Sequence, residues 1–108
     1  MRKNYNKLVR DRIPERLTQL GIAYESHVAT PDEMKQLLLT KLDEEVAELR
    51  SAAPGRATVG EVVDIIEVAM AIAQLEGIEQ YELEVMRSDK AVERGCFRER
   101  VVLHWTDA

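Results

Sequence analysis

The sequence predicts an all-α chain, an antiparallel helical bundle with short extended segments toward its N- and C-terminal ends. Three observations lead there. The 108 residues include only five aromatic side chains, and only eight glycines and prolines together, whereas a sandwich of short strands is rich in aromatics and in turn residues. Those glycines and prolines stand mostly at the ends of stretches whose apolar residues recur with helical spacing. A hydrophobic fraction of 45% beside 32% charged residues supports one core at this length and not two, so residues 1–108 read as a single domain.

The elements follow in order. Tyr5 to Ile13 reads as irregular, because Pro14 suits the first turn of a helix and not its interior. A short helix runs from Pro14 to about Leu20 and ends at Gly21, a favoured residue just past a helix. Ile22 to Ala29 reads as extended. Thr30-Pro31-Asp32-Glu33 is a strong start signal, with a capping hydroxyl, Pro at the first position and Glu three after the cap. The helix it opens reaches about Ser51. Ala53-Pro54-Gly55-Arg56 is the clearest break in the chain. A second long helix spans about Thr58 to Glu76, closed by Gly77, and a third runs from about Glu79 to Arg94, stopped by Gly95. The tail from Arg100 to Trp105 is a short strand or a packing arm. Two long helices joined by so short a loop lie nearly antiparallel.

Charge narrows the function classes. A net charge of −5 excludes wholesale coating of a nucleic-acid polymer, which needs clustered cations. The distribution is uneven: Arg2, Lys3, Lys7, Arg10, Arg12 and Arg16 crowd the first 16 residues against Asp11 and Glu15, while the middle is acidic. Basic segments of this kind bring cations to a phosphate held at an acidic centre. Cys96 stands alone, which rules out an intrachain disulfide and a multi-cysteine metal site. Met1 to Asp11 has no apolar leader core, and charges interrupt every apolar stretch well short of the roughly 20 residues of a membrane span. A cytoplasmic protein with no membrane partner is expected.

Placing the carboxylates around each helix, at about 100° per residue, is the informative step. On the Pro31 helix, Met34, Leu38, Leu42, Val46 and Leu49 form one apolar stripe, and Glu45 falls in its middle. Glu48 sits at the edge of the stripe beside Lys41, with Glu44 further round. The Thr58 helix is apolar nearly all round, yet carries Glu61, Asp64 and Glu67 along one face with no Lys or Arg between Val59 and Leu75. Carboxylates in a core direction are destabilising unless a cation compensates them. Two acidic pairs, E-x-x-E and E-x-x-D, separated by twelve residues and a turn, can converge when the helices pack antiparallel. Hard oxygen ligands without His or Cys suit Mg²⁺ or Mn²⁺ and not zinc. Mg²⁺ keeps waters and takes substrate phosphates, which points to phosphate-ester or anhydride chemistry.

These residues also carry a resemblance. K-L-D-E-E-V-A-E-L (Lys41 to Leu49) followed by E-V-V-D-I-I-E-V (Glu61 to Val68) resembles the all-α nucleotide pyrophosphohydrolases of the MazG and phosphoribosyl-ATP pyrophosphohydrolase superfamily. Y-N-K-L-V-R-D-R-I-P-E (Tyr5 to Glu15) and K-A-V-E-R-G-C-F (Lys90 to Phe97) resemble its phosphoribosyl-ATP pyrophosphohydrolase-like subgroup. The resemblance implies a MazG-like bundle that assembles as a homodimer or dimer of dimers. It implies Mg²⁺-dependent cleavage of a nucleoside triphosphate to monophosphate and pyrophosphate. It places Glu45, Glu48, Glu61 and Asp64 at the metal-binding positions, and makes Glu44 or Glu48 the base. Lys41 matches a phosphate-contacting cation, with Lys7, Arg10, Arg12, Lys90 and Arg94 as further phosphate ligands; Arg10 and Arg94 are preferred because they lie in the motif segments. The His that follows the second acidic motif in the histidine-pathway enzymes is absent, since Asp64 is followed by Ile65-Ile66-Glu67-Val68. A house-cleaning role on non-canonical or excess nucleotides therefore fits better than phosphoribosyl-ATP. A non-catalytic helical dimerisation or regulatory module is the rival from another class. The Thr58 helix is apolar on more faces than one small bundle covers, which suggests a subunit interface.

Overall fold

Local chemistry opens and closes each helix of the computed structural model, which describes residues 1–108. The helices are α1 (Ile13–Gln19), α2 (Pro31–Ser51), α3 (Arg56–Leu75) and α4 (Gln80–Arg94), and there is no strand. Thr30 caps α2, its hydroxyl accepting a hydrogen bond from the Glu33 amide at 3.3 Å. The reciprocal half of the expected capping box is missing, because the Glu33 side chain turns instead to His27, 3.3 Å away. At the end of α3 the backbone of Gly77 turns to φ +84°. The Ile78 amide then reaches back to the Ala73 carbonyl and the Gly77 amide to that of Gln74. This paired closure satisfies carbonyls the helix leaves open, and it needs a residue without a Cβ penalty. Helix α3 starts two residues ahead of the expected Thr58. The Thr58 hydroxyl donates to the Ala53 carbonyl across the α2–α3 loop at 2.9 Å, so it braces the turn and does not open the helix.

Helices α2 and α3 form an antiparallel hairpin about that loop, and the register is readable from burial. Leu38 and Val68 are the two buried apolar residues, 2% and 7% exposed. Seven residues nearer the loop on each helix stand Glu45 and Glu61, whose carboxylate oxygens lie within 4.8 Å of each other. The hairpin is thus layered with a coiled-coil-like repeat, and the layer below Leu38 and Val68 carries acid where an apolar pair would close the seam. Met34, Leu42, Val46 and Leu49 line the same stripe half-buried, as the sequence indicated.

The rest of the chain is open. Helix α4 packs on α3 but not on α2, and α1 packs on no other helix. The radius of gyration is 18.0 Å, with extents of 58 × 35 × 25 Å, against about 13 Å for a globule of this length. Ile22 to Ala29 carries neither helix nor strand. One expectation needs correction. The tail is neither strand nor packed arm: Val101, Val102, Leu103 and Trp105 are at least 75% exposed and face no apolar surface of their own chain. No helix is long and apolar enough to cross a membrane.

Because the seam holds so few buried apolar side chains, each one matters. Leu38→Ala should lower unfolding stability by about 2–3 kcal/mol, read from urea midpoints; an unchanged midpoint would show that the hairpin seam does not hold the fold.

Candidate functional site

The acidic layer is assembled from both arms of the hairpin and roofed by the N-terminal segment. From α2 come Glu44, Glu45 and Glu48, whose carboxylate oxygens lie within 4.8 Å of one another; from α3 come Glu61 and Asp64, which meet Glu45 within the same distance. Glu45 belongs to both groups and is the pivot. It is 5% exposed, and its Oε2 is buried without a hydrogen-bond partner, as is Oε2 of Glu61. Helical spacing explains the convergence: residues three and four apart share a face, and the four-residue loop sets the two acidic faces opposite each other.

Electrostatics follow from that crowding. Burial pushes the Glu45 carboxyl up from its ordinary value, and the charges of Glu48 and Asp64 add to the rise while Lys41 opposes it. Desolvation also raises Glu61, followed by the effects of Glu48 and Glu45. Glu44 moves the other way, because the Lys7 ammonium donates to it at 2.6 Å and holds its carboxyl down. Lys7 is raised by the same bond. Lys41 lies 3.5 Å from Glu45 and 3.7 Å from Glu44.

The absence of cations along α3 had suggested an uncompensated acidic face. The structure corrects this, since compensation arrives from a distant part of the chain. Arg10 donates through Nη2 to Asp64 Oδ1 at 2.6 Å, and its Nη1 lies 3.6 Å from Glu67. Both partners of the Arg10–Asp64 pair are around half exposed, where such a bridge contributes only about 0–1 kcal/mol. The compensation is also incomplete. Glu44, Glu45, Glu48, Glu61, Asp64 and Glu67 meet only Lys7, Arg10 and Lys41, which leaves three negative charges unbalanced when all are ionised.

Every expected acid is therefore in one cluster, with Glu48 at its exposed edge and Glu45 at its buried centre. Among the expected phosphate ligands the outcome divides. Lys7, Arg10 and Lys41 are at the cluster. Arg12 lines an adjoining concavity with Arg10, Ile13, Glu15, Arg16 and Gln19. Lys90 and Arg94 are not brought in: they pair with no carboxylate, because α4 leaves α3 without reaching α2. The preferred pair of Arg10 and Arg94 is thus half realised within one chain. Glu67, the third acid on its helix face, meets Arg10; that partner lies 57 residues away, and no local pattern reveals it.

The donor set passes a chemical test for a hard divalent cation. Two buried carboxylate oxygens lack partners, and every candidate donor is an anionic oxygen. Opposite ligands of Mg²⁺ stand about 4.2 Å apart when each bond is near 2.1 Å, so oxygens within 4.8 Å need only small side-chain adjustment. Compared with protein-family models, curated proteins and solved structures, the chain matches none.

The raised carboxyls have a consequence for the metal-free chain. A group whose folded pKa lies above its unfolded value of 4.5 favours the folded state when protonated, and that contribution is lost as pH rises through the raised value. Glu44, held down, acts in the separate window below 4.5. In chelator, the melting temperature should therefore fall as pH rises from about 4.5 toward neutrality, and Glu45→Gln should be more stable at pH 7 with a flatter profile. Thermal scans across that range decide it; a wild-type profile that climbs with pH, or a Gln variant that melts lower, contradicts the assignment.

Proposed function

We propose that this chain is a Mg²⁺-dependent nucleoside triphosphate pyrophosphohydrolase of the MazG-like kind. The single observation behind it is the buried, unpartnered Glu45 carboxylate oxygen facing Glu61 and Asp64 across the hairpin. Buried carboxylates without partners are strongly unfavourable in a structural role, and they suit a cation that binds later. Glu45, Glu48, Glu61 and Asp64 would hold the ion. When bound, Mg²⁺, or Mn²⁺ on the same oxygens, supplies charge neutralisation for a polyphosphate and an acidified water.

The chain's own residues do the rest. Glu45 and Glu61 bind the ion as carboxylates, and their closeness holds the donors in place before substrate arrives. Glu48, at the exposed edge and bound by no cation, is open to accept a proton from the attacking water. Glu44 is the weaker base while Lys7 donates to it. Attack at the α-phosphorus breaks the α–β anhydride bond, giving monophosphate and pyrophosphate. Arg10, Lys7 and Lys41 lie where the remaining phosphate charge would fall, with Arg12 beside them. The substrate class is a non-canonical or excess nucleotide.

The working unit we propose is a homodimer or a dimer of dimers. Val59, Val63 and Ile66 on α3 are more than half exposed, as are Tyr81, Val85 and Met86 on α4. That apolar surface, with a radius of gyration well above a globule's, fits a subunit that finds its cover in a second copy. The same surface favours the rival reading of a non-catalytic dimerisation module, which does not account for the acidic layer.

Two measurements test these readings. Mg²⁺ or Mn²⁺ should raise the melting temperature of the wild type but not of Asp64→Asn, and a screen of nucleoside triphosphates should detect pyrophosphate from the wild type alone; no metal response in the wild type rejects the enzyme. Sedimentation should give a dimer or larger, which Val63→Asp shifts toward monomer; a wild-type monomer rejects the assembly.

A further inference from the structure

Resting on that reading of the acidic layer, we propose that Lys7 and Arg10 are exchangeable counter-ions. They sit on two carboxylates of the acidic cluster and pass to the phosphates of a polyphosphate substrate when a divalent cation binds to Asp64 and the acids beside Glu44.

The placement of the two side chains carries this. Each is bonded at 2.6 Å to a carboxylate of the cluster, Lys7 to Glu44 and Arg10 to Asp64. Asp64 is itself one of the donors that converge on Glu45. Arg10 and a divalent cation would draw on the charge of the same Asp64 carboxylate, so each weakens the other's hold on it. The cation and Arg10 are therefore competitors for one residue. A divalent ion also offsets two of the six carboxylate charges around Lys7 and Arg10, and a phosphate chain arriving with it brings new negative charge to the same place. A guanidinium matches phosphate oxygens as well as it matches a carboxylate, so Arg10 trades partners without losing bond type.

The segment that bears these cations is built to shift. Residues 1–10 contain no helix or strand. The side-chain hydrogen bonds from this segment to the rest of the protein are the two made by Lys7 and Arg10. Helix α1, which follows, packs on no other helix, and the apolar packing of residues 1–10 is limited to Leu8 and Val9, both partly buried. Moving the arm therefore breaks the ion pairs of Lys7 and Arg10, all partly exposed, and the partial packing of Leu8 and Val9. A brace that held the fold would be anchored mainly in apolar contact; this one is anchored mainly by charge.

Opposite signs in two titrations distinguish exchange from bracing. With Lys7→Gln/Arg10→Gln and wild type compared by calorimetry, Mn²⁺ alone should bind the variant more tightly, by roughly fivefold, because a competitor has gone. A nucleoside triphosphate analogue with a non-cleavable α–β bridge, added to Mn²⁺-loaded protein, should bind the variant more weakly, by about tenfold or more. Trypsin gives a readout independent of affinity: Mn²⁺ alone should speed cleavage after Lys7 and Arg10 in the wild type, and the analogue should slow it again. Arg10→Lys keeps the charge and should fall between wild type and variant in both titrations. If the variant binds Mn²⁺ equally or less tightly, or cleavage ignores Mn²⁺, the cations are a fixed brace and the exchange is wrong. If neither protein binds Mn²⁺, the metal reading of the centre fails and the exchange falls with it.

Discussion

The carboxylate of Glu45 is held inside the α2–α3 seam, where a coiled-coil pattern would place a leucine, and the rest of the molecule is arranged around that constraint. Directly above it, Leu38 and Val68 close the one apolar layer the hairpin possesses. Directly across it, Glu61 and Asp64 present more negative charge. A seam composed this way gains less from burial than an apolar one and carries like-charge repulsion as well. The hairpin keeps its register because the loop, the Thr58 brace and the Leu38 layer fix it. The acids are consequently close before any ion arrives, and the repulsion between them is a standing affinity for cations.

Compensation by the chain itself is partial and comes from the exposed side. Lys41 approaches along its own helix, one turn from its partners, which geometry makes nearly unavoidable. Lys7 and Arg10 approach from an irregular arm and rest on the rim of the cluster, never on the buried oxygens. At the centre, the buried Oε2 atoms of Glu45 and Glu61 have no hydrogen-bond partner within the chain.

Outside the hairpin the same physical logic points outward. Helix α3 is apolar around most of its circumference, but one chain covers only the faces toward α2 and α4. Valines, an isoleucine and a tail that ends in Trp105 stay in solvent, where area-proportional hydrophobic stabilisation is forgone. Lys90 and Arg94, stranded on α4 away from the acids of their own chain, stand on the element that carries much of this uncovered surface.

Local signals in the sequence specify the helices, their order, and the acids that converge. Thr30-Pro31, Gly77 and the Ala53–Arg56 break are local signals acting over a few residues, and the misplacement of Glu45 in its stripe follows from helical periodicity alone. The tail from Arg100 to Trp105 is neither strand nor packed arm, because both require a partner that no local pattern supplies. Only the tertiary structure decided which cations meet which acids. Arg10 with Asp64 and Glu67, and Lys7 with Glu44, join residues dozens of positions apart through an arm without periodicity, and side-chain charge has no register in sequence. The same holds for Arg94, which motif position favoured and packing kept away: its place depends on how far α4 follows α3, and that is set by apolar contact beyond the reach of the helix that bears it.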